Sequence, residues 1–523
     1  MAVLTAPAQD GGILPKSRLH HENKPVDAFQ KWRPGFHLMP ASNWANDPCG
    51  PGYIGGRFYT SFQWNPHGWE WGNMSWGHAL SEDLVHWHVS KRPSMEPSAE
   101  DPCGVFTGCV WPSNPRGEED GTLTAIYTSA QHAPIHYTMP YTPGSEVVRM
   151  ATSSDLGKTW QRQPGVVLAA PKAIDVIGWR DPFIGRWECL GDSLYGVIAG
   201  GIRQKSPAVF LYRVDPHDLS CWDFDSILFA PGLNFQPHPS LDFGTNFEVT
   251  NFMTLRDNTG KNHEVLLMSV EGGRKEHSQN WVCGEISANT LEYRFGGCLD
   301  HGCFYAANSF IDPSGQRIVQ GWVTEHLPPV LTEKQRWSGC LSLPRILGMR
   351  QIREVTQAPD WLHWVGETVT VLTSIPDPRV EKLRRRPLDT VEGRHLEVKA
   401  SFEVDDTEVG IVLHHGESRT VVSFHPSEQL LSIKRHGMFS NMNGDECAPH
   451  SLLKVRDQEE TLDIHLFFDV SVLEVFVNER LAITTRVYPE NARCTAVRPF
   501  GNSGEPKVVE WAAWELGPSI TYE

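Results

Sequence analysis

The chain has 523 residues, of which 40% are hydrophobic and 21% charged, as is usual for globular proteins that contain a packed core. This length predicts two or three domains. The formal net charge of −17 argues against nucleic acid or an anionic membrane as a partner.

Residues 1–30 are predicted to be an N-terminal extension. They contain no apolar run of the kind found in secretory signals or membrane spans. The 11 cysteines show neither a CxxC pair nor zinc-ligand spacing. We therefore expect a cytoplasmic protein with reduced thiols, no metal and no other cofactor, with a secreted mature form as the alternative. The sequence leaves open whether the chain forms a homo-oligomer.

From residue 31 to 355, short apolar or alternating runs are separated by Gly, Pro, Asn and Asp, a pattern typical of β-strands and tight turns. A Ser-Asp-Trp turn motif occurs at 81–87 and again at 153–160. A repeat of about this length suits four-stranded blades. The sequence predicts an all-β fold in which a five-bladed β-propeller forms the catalytic domain, with inner strands near residues 45, 108, 181, 248 and 309.

Three acidic residues lie in distinctive settings within this region. Asp47 follows Asn46, Asp181 follows Arg180, and Glu248 lies between Phe247 and Val249. Their separations are 134 and 67 residues, two repeats and then one. We therefore expect all three to face one central cavity, where carboxylates serve acid–base or nucleophilic chemistry. Taken singly, each acid could instead cap a turn or hold a structural position.

The last third of the chain changes in character. Residues 356–390 contain Pro-Asp-Pro and a basic run, and they are predicted to be a linker. Residues 391–523 return to alternating strands separated by polar turns. This second pattern predicts a C-terminal β-sandwich.

Several motifs, in order, resemble those of glycoside hydrolase family 32, which contains β-fructofuranosidases, invertases and fungal fructosyltransferases. They are Asn-Asp-Pro-Cys-Gly at 46–50, Trp-Gly-Asn-Met-Ser-Trp-Gly-His-Ala at 71–79, Phe-Thr-Gly-Cys at 106–109, Arg-Asp-Pro at 180–182, the Trp-Ser-Gly segment at 337–345, and Phe-Asp-Val-Ser-Val-Leu-Glu-Val-Phe-Val-Asn at 468–478. The resemblance covers nearly the whole chain and is nearest to intracellular-type fungal members. Two positions depart from the family pattern: Cys49 stands where relatives have Asn, and Val249-Thr250 follow Glu248 where many have Cys and Pro.

The resemblance implies a role for each acid: Asp47 as nucleophile, Glu248 as general acid and base, and Asp181 as stabiliser of the transition state. A retaining glycosidase needs one ionised carboxyl group to attack the anomeric carbon and another to protonate the leaving group. The neighbouring cation Arg180 is expected to favour the ionised form of Asp181.

Amide, hydroxyl and aromatic side chains near these motifs are candidates for binding the fructose ring, with plain core packing as the alternative for each. They are Asn46, Gln63, Trp71, Phe106, Thr107 and Arg180. Glu271 and Glu325 are candidates for binding the leaving glucose or an acceptor sugar, although either could be a surface acid.

Three functions remain open. The first is a retaining β-fructofuranosidase that cleaves sucrose and short fructooligosaccharides with water as acceptor. The second uses the same chemistry but transfers fructose to another sugar. The third is a non-catalytic sugar-binding protein, against which the presence of all three acids argues. A sialidase is disfavoured, because no cluster of three Arg with a Tyr nucleophile is marked in the sequence.

Overall fold

The computed structural model describes residues 30–437 and 444–523, so residues 1–29 of the predicted extension lie outside the described residues. The described chain is built almost wholly from β-strands. It contains one α-helix, α1 (Pro329–Gln335), and two short 3-10 helices, Glu188–Leu190 and Pro378–Leu383. Within the described ranges, no helix is long and apolar enough to cross a membrane. The predicted all-β class is confirmed.

Four antiparallel sheets come first, and their main strands pair in chain order. The strands of the first sheet are β1 (Asn43–Ile54), β2 (Arg57–Asn65), β3 (Ser75–Ser81) and β4 (Trp87–Val89). Those of the second are β5 (Gly104–Trp111), β6 (Leu123–Ala130), β7 (Glu146–Ser153), β8 (Gln161–Arg162) and β9 (Leu168–Ala169). Those of the third are β10 (Val176–Gly185), β11 (Leu194–Ile202), β12 (Ser206–Asp215) and β13 (Asp218–Phe229). Those of the fourth are β14 (Asn246–Arg256), β15 (Asn262–Glu271), β16 (His277–Ser287) and β17 (Thr290–Asp300).

A fifth sheet completes the ring. The strands between residues 304 and 376 are β18 (Phe304–Ile311), β19 (Arg317–Val323), β20 (Trp337–Ser338), β21 (Cys340–Leu341), β22 (Arg345–Ile352), β23 (Val355–Gln357), β24 (His363–Val365) and β25 (Thr368–Pro376). Strands β18, β19, β22, β25 and β24 form the sheet in that order, and β21 pairs with β19. Strand β20 pairs in parallel with β1, which joins the last blade to the first.

The first strand of each sheet lies at the centre of the ring. Strands β1, β5, β10, β14 and β18 each contact the next, and β18 contacts β1. The inner strands contain the positions predicted near residues 45, 108, 181, 248 and 309, so the five-bladed β-propeller is confirmed. Asp83 and Asp155 cap turns as predicted, since Asp83 accepts from the backbone N–H of His86 and Asp155 from that of Thr159.

Two further sheets form the C-terminal sandwich, whose prediction is also confirmed. The strands of the sandwich are β26 (Arg384–Pro387), β27 (His395–Glu403), β28 (Val409–His415), β29 (Ser418–His425), β30 (Leu430–His436), β31 (Glu446–Pro449), β34 (Leu462–Asp469), β35 (Val472–Val477), β36 (Leu481–Arg486), β37 (Ala496–Gly501) and β38 (Lys507–Leu516). Outside it, β32 (Lys454–Val455) and β33 (Gln458–Glu459) form a small sheet with β23, and β39 (Ile520–Tyr522) pairs with β4 of the first blade. Six strands, in the order β26-β38-β27-β34-β35-β36, face five in the order β31-β30-β29-β28-β37. Apolar side chains from the two faces form one buried core.

The segment predicted as a linker, 356–390, is different in the structure. Strands β24 and β25 within it belong to the fifth blade, and β26 belongs to the sandwich. In the sequence, the basic run that includes Arg384 and Arg386 is typical of a solvated connector, because the side chains Trp514 and Glu515 that these residues contact are far away in the chain. Arg384 pairs with Glu397 at 2.6 Å, and its guanidinium lies 3.8 Å from the ring centroid of Trp514.

An ionic cluster joins the propeller to the sandwich. This interdomain cluster consists of His37, Asp300, Arg345, Asp469 and Glu474, whose side chains are all fully buried. The guanidinium of Arg345 lies 2.9 Å from Asp300 and 2.7 Å from Glu474. The imidazole of His37 contacts Asp469 at 2.7 Å and Glu474 at 3.0 Å. Each buried charge in this cluster therefore has a partner of opposite sign.

Candidate active site

Every inner strand is interrupted by a β-bulge at a matching place. The shifts in register fall between Ala45 and Pro48, Val105 and Gly108, Arg180 and Phe183, Glu248 and Asn251, and Tyr305 and Asn308. A bulge releases a residue from the ladder and redirects its side chain. Asp47 and Asp181 lie within such bulges, and Glu248 is the last paired residue before one. The equivalence predicted from their spacing therefore holds for the bulge as a whole but not for the position within it, where Arg180, and not Asp181, matches Glu248.

Asp47 lies in a network of uncharged donors from blades 1 and 2. Its Oδ2 accepts a hydrogen bond from Thr107 at 2.5 Å and one from Gln63 at 3.2 Å. Its Oδ1 accepts from Asn46 at 3.0 Å. Burial and the nearby charge of Glu248 raise the pKa of Asp47 to about 6, although the donors from Thr107 and Asn46 oppose that rise. The carboxyl group is thus fixed in position and is ionised at neutral pH.

Glu248 is held from both sides by neighbouring blades. The Nε of Arg180 donates to its Oε1 at 2.9 Å, and the hydroxyl of Tyr305 donates to its Oε2 at 2.7 Å. Burial opposes the charged form, but the guanidinium and the hydroxyl outweigh it, and the pKa of Glu248 lies below its usual value. Arg180 and Tyr305 occupy, on blades 3 and 5, the same pre-bulge position as Glu248 on blade 4.

Asp181 has a strained backbone. Its φ is +62°, a left-handed conformation that non-glycine residues adopt infrequently. Its backbone N–H donates to the Thr128 hydroxyl at 2.7 Å, and its Oδ2 accepts from the Val249 N–H at 3.0 Å. Burial raises the pKa of Asp181 well above its usual value, although the charge of Arg180 acts against that rise. Arg180 thus favours the ionised form of Asp181, as expected, but burial and the charges of Glu248 and Asp47 outweigh it.

The reason is that Arg180 pairs with three other carboxylates. It contacts Glu146 at 2.9 Å, Glu248 at 2.8 Å and Glu271 at 3.2 Å. Glu271 also accepts from Asn246 at 2.7 Å, and burial together with the charge of Glu248 raises the pKa of Glu271 to about 8. Arg180 was predicted to bind substrate, but its guanidinium instead ties the general-acid candidate to two further acids.

The aromatic candidates lie at the rim of this cavity. Phe106 is buried beside Thr107, whereas the side chain of Trp71 is 50% exposed. Their ring centroids are 5.9 Å apart in an edge-to-face arrangement. Trp44, which was not singled out in the sequence, donates from its Nε1 to Asn46 at 2.8 Å and packs against Trp322. The site thus combines buried carboxylates with exposed aromatic surface, as a sugar site requires.

Comparisons with known proteins agree with this geometry. The model of the glycosyl hydrolases family 32 N-terminal domain matches residues 37–359, and that of the family's C-terminal domain matches 367–515. The chain belongs to glycoside hydrolase family 32. It is a glycoside hydrolase, as predicted.

Relatives and solved structures of this family cover almost the whole chain. A sucrose-6-phosphate hydrolase of Escherichia coli is 26% identical over 96% of this chain and 100% of its own length. A raffinose invertase of Escherichia coli is 27% identical over 93% and 95%. The crystal structure of a fructosyltransferase from A. japonicus superposes with a TM-score of 0.84 at 22% identity, covering 95% of this chain and 97% of the other. This last likeness supports the propeller and sandwich fold.

One predicted binding residue of this family 32 enzyme is engaged elsewhere. Glu325 accepts hydrogen bonds from the N–H of His326 at 3.0 Å, from Gln335 at 2.8 Å and from the hydroxyl of Tyr488. Tyr488 belongs to the sandwich, so Glu325 links the two domains. None of its hydrogen bonds among the described residues reaches the three acids, and we correct its predicted role in sugar binding.

Besides Trp44, the sequence analysis missed several site residues, among them Glu146, Tyr305 and His277, whose ring centroid lies 4.8 Å from that of Tyr305. A Tyr or His on an apolar strand is usually part of the core, so their residue types gave no signal. The repeat did give a signal for Tyr305, because Tyr305 occupies in blade 5 the position that Glu248 occupies in blade 4. In residues 30–437 and 444–523, no group of three or more His, Cys, Asp or Glu is arranged to hold a metal ion.

Proposed function

We propose that this enzyme is a retaining β-fructofuranosidase that cleaves sucrose and short β-fructans through a covalent fructosyl-enzyme. The observation that carries the proposal is the convergence of Asp47 and Glu248 from blades 1 and 4 on one cavity, close enough for the charge of Glu248 to raise the pKa of Asp47. The names of the relatives, among them a raffinose invertase and a vacuolar acid β-fructofuranosidase of a Rosa cultivar, support sucrose-type substrates.

In the first step, the ionised carboxylate of Asp47 forms a bond to the anomeric carbon of fructose while the bond to the leaving-group oxygen breaks. Glu248 gives that oxygen a proton. In the second step, Glu248 removes a proton from water or an acceptor sugar, whose oxygen displaces Asp47. Two successive displacements retain the configuration of the anomeric carbon.

Glu248 needs a proton for the first step, yet Arg180 and Tyr305 favour its ionised form in the free protein. We propose that the proton comes from the carboxylate group around Arg180. Glu271 shares the guanidinium with Glu248 and, with a pKa of about 8, is largely protonated at neutral pH. Because such groups titrate together, a change at Arg180 when sugar binds would shift the proton between them.

Incubation with concentrated sucrose tests the reaction. Equal release of glucose and fructose would mean hydrolysis, and glucose well above fructose would mean transfer to sugar, the alternative function. Release of neither would contradict the enzymatic proposal. Retention is tested by adding methanol as acceptor: the methyl fructoside formed first should be the β anomer, and an α anomer would exclude double displacement.

A parallel assay with sucrose 6-phosphate defines the substrate further. Among the described residues, Arg180 is the cation that contacts the site's acidic side chains. Its guanidinium is already paired with Glu146, Glu248 and Glu271. We therefore expect unphosphorylated sucrose to be the better substrate, with the higher kcat/KM. A phosphate-dependent kcat/KM would place a further cation in the site.

A further inference from the structure

A long loop extends from blade 2 to blade 4 at the mouth of the cavity. Residues 131–145 connect β6 to β7, two antiparallel neighbours for which two to five residues would suffice. Near the middle of the loop, the hydroxyl of Tyr137 donates to Oε1 of Glu276 at 2.6 Å. Glu276 lies in the turn between β15 and β16 of blade 4, so the loop reaches past blade 3 to make this bond.

The turn on blade 4 is shaped to receive the Tyr137 ring. Gly272 has a φ of +69°, and a Cβ added there would lie 2.8 Å from Cε2 of Tyr137. Only glycine fits this close approach of ring and backbone without a shift. The hydrogen bond therefore has a packed contact beside it.

The loop is also fixed near both ends. Ile135 packs against the buried side chains of Met74 and Phe106 at the rim of the site. At the other end, Glu146 pairs with Arg180 at 2.9 Å. A loop held at its start, middle and end is a poor candidate for free motion, and its path is set by groups of the active site.

The contact lies on the leaving-group side of the general acid. Glu276 is followed by His277, whose ring centroid is 4.8 Å from that of Tyr305. Tyr305 in turn donates to Glu248. The charge of Glu276 also contributes to the raised pKa of Glu271, which shares Arg180 with Glu248, so we place the departing sugar on the side of Glu248 that faces this contact.

We propose that the Tyr137–Glu276 contact closes the leaving-group side of the cavity and makes the enzyme select substrates whose leaving group is a single sugar, such as sucrose, over longer β-fructans. The inference rests on the proposed function. Tyr137 and Glu276 act here on specificity by limiting space, and the chemical step does not pass through them.

The test is the ratio of kcat/KM for 1-kestose, whose leaving group is a disaccharide, to kcat/KM for sucrose. Tyr137→Phe removes the donor and Glu276→Gln removes the charge of the acceptor. Tyr137→Phe should raise the ratio about 3- to 10-fold, chiefly through a lower KM for 1-kestose, because loss of one hydrogen bond opens the space that excludes its larger leaving group. Glu276→Gln, which leaves a weaker, neutral acceptor, should raise the ratio less. The double variant should match Tyr137→Phe alone, because the bond that Glu276→Gln only weakens is already absent without its donor.

Tyr53→Phe, the same change at an exposed Tyr on the outer end of β1, is the control and should leave the ratio unchanged. An active enzyme whose ratio is not moved by Tyr137→Phe would overturn the proposal. So would a shift seen only with Glu276→Gln, since that would mean direct contact between Glu276 and the sugar. A wild type inactive on both sugars would instead contradict the proposed function itself.

Discussion

The molecule contains two buried ionic clusters with opposite electrostatics. The catalytic cluster of Asp47, Arg180, Asp181, Glu248 and Glu271 has one cation for four carboxylates, and a fifth, from Glu146, also contacts that cation. The interdomain cluster has three carboxylates and two partners that can be cationic, and a third such partner, His395, contacts Asp469 at 2.7 Å. Burial is complete in the interdomain cluster, whereas Asp47 and Glu248 of the catalytic cluster are only partly buried, with 21% of the Glu248 side chain exposed.

The direction of the pKa shifts also separates the two clusters, except at Glu248, whose pKa lies below its usual value despite burial because of Arg180 and Tyr305. Burial raises the pKa values of Asp47 and Glu271 in the catalytic cluster, because too little positive charge is present to offset it. In the interdomain cluster, Asp469 and Glu474 have lowered pKa values despite burial, owing to their His and Arg partners. An unmatched negative cluster is suited to stabilise the positive charge that develops on a fructosyl ring as its glycosidic bond breaks.

The largest expected effect comes from Asp47→Asn, which removes the nucleophile while keeping its shape. We expect kcat on sucrose to fall by at least about 10⁴-fold, the order seen when a nucleophile is lost. The melting temperature should stay the same or rise, because the variant removes one charge from a cluster with excess negative charge. Initial rates and thermal unfolding measure the two quantities.

Asp83→Asn is the matched control for that variant. Asp83 caps a hairpin turn by accepting from the N–H groups of Val85 and His86. Its replacement should leave kcat within about twofold and cost about 1 kcal/mol of stability, as expected for a local hydrogen bond. Full activity of Asp47→Asn would remove Asp47 from the mechanism.

The next effect concerns the interdomain cluster. Arg345→Met leaves the carboxylates of Asp300 and Glu474 buried without their cation, which should cost about 3–5 kcal/mol in the free energy of unfolding. Arg350 lies on the same strand, β22, and pairs with Glu479 at the surface at 2.6 Å. Arg350→Met should cost less than about 1 kcal/mol. Urea unfolding compares the two variants, and equal costs would contradict a structural role for the cluster.

The two clusters also differ in how far the sequence predicted them. The three acids could be placed because they recur at matching points of a repeat, next to Pro, Asn or an apolar strand residue. The partners of Arg180 could not, because Glu146 and Glu271 lie 34 and 91 residues away in the chain. Glu325 was assigned to sugar binding because the sequence does not reveal its hydroxyl partner. That partner, Tyr488, is 163 residues away in the other domain.

A similar limit applies to the fold. Strand alternation and turn residues predicted the propeller and the sandwich, because both depend on local patterns. The boundary between them was misplaced, since the strands from 363 to 387 contain Thr, Pro and Arg and are defined by pairing with distant strands. Local sequence thus predicts the repeated unit well, and contacts between units poorly.

The interdomain cluster should also make stability depend on pH. Asp469 and Glu474 have lowered pKa values, so their contribution is present above about pH 4.5 and is lost as the pH falls. Burial disfavours charge on His37, but its two carboxylate partners raise its pKa above 6.5. Its contribution is therefore full below pH 6.5 and is lost as the pH rises through the raised pKa.

Urea midpoints measured from pH 4 to 9 check this dependence. The stability that this cluster contributes should be largest between about pH 4.5 and 6.5, so the difference in midpoint between the wild type and His37→Gln should be full below pH 6.5 and shrink at higher pH. An alkaline decline of unchanged size in His37→Gln would assign it to other groups.

The smallest expected effect concerns the pKa of Asp47 in the catalytic cluster. Thr107 donates to Asp47 at 2.5 Å, and this bond favours the ionised carboxylate. Thr107→Val should raise the pKa of Asp47 by about one unit, because a hydrogen bond to a charged group contributes about 1.5–3 kcal/mol and one pKa unit corresponds to about 1.4 kcal/mol. Since protonated Asp47 cannot attack, the acid limb of kcat/KM should move from near pH 6 to near pH 7.

Thr60→Val provides the control. Thr60, on β2, is as buried as Thr107, and its hydroxyl donates to a backbone carbonyl oxygen and not to Asp47. Its acid limb should stay near pH 6. If Thr107→Val also left the limb in place, the group that titrates there would be a different carboxyl group of the catalytic cluster. The raised pKa would then belong to Asp181 or Glu271, and the nucleophile would already be ionised well below pH 6.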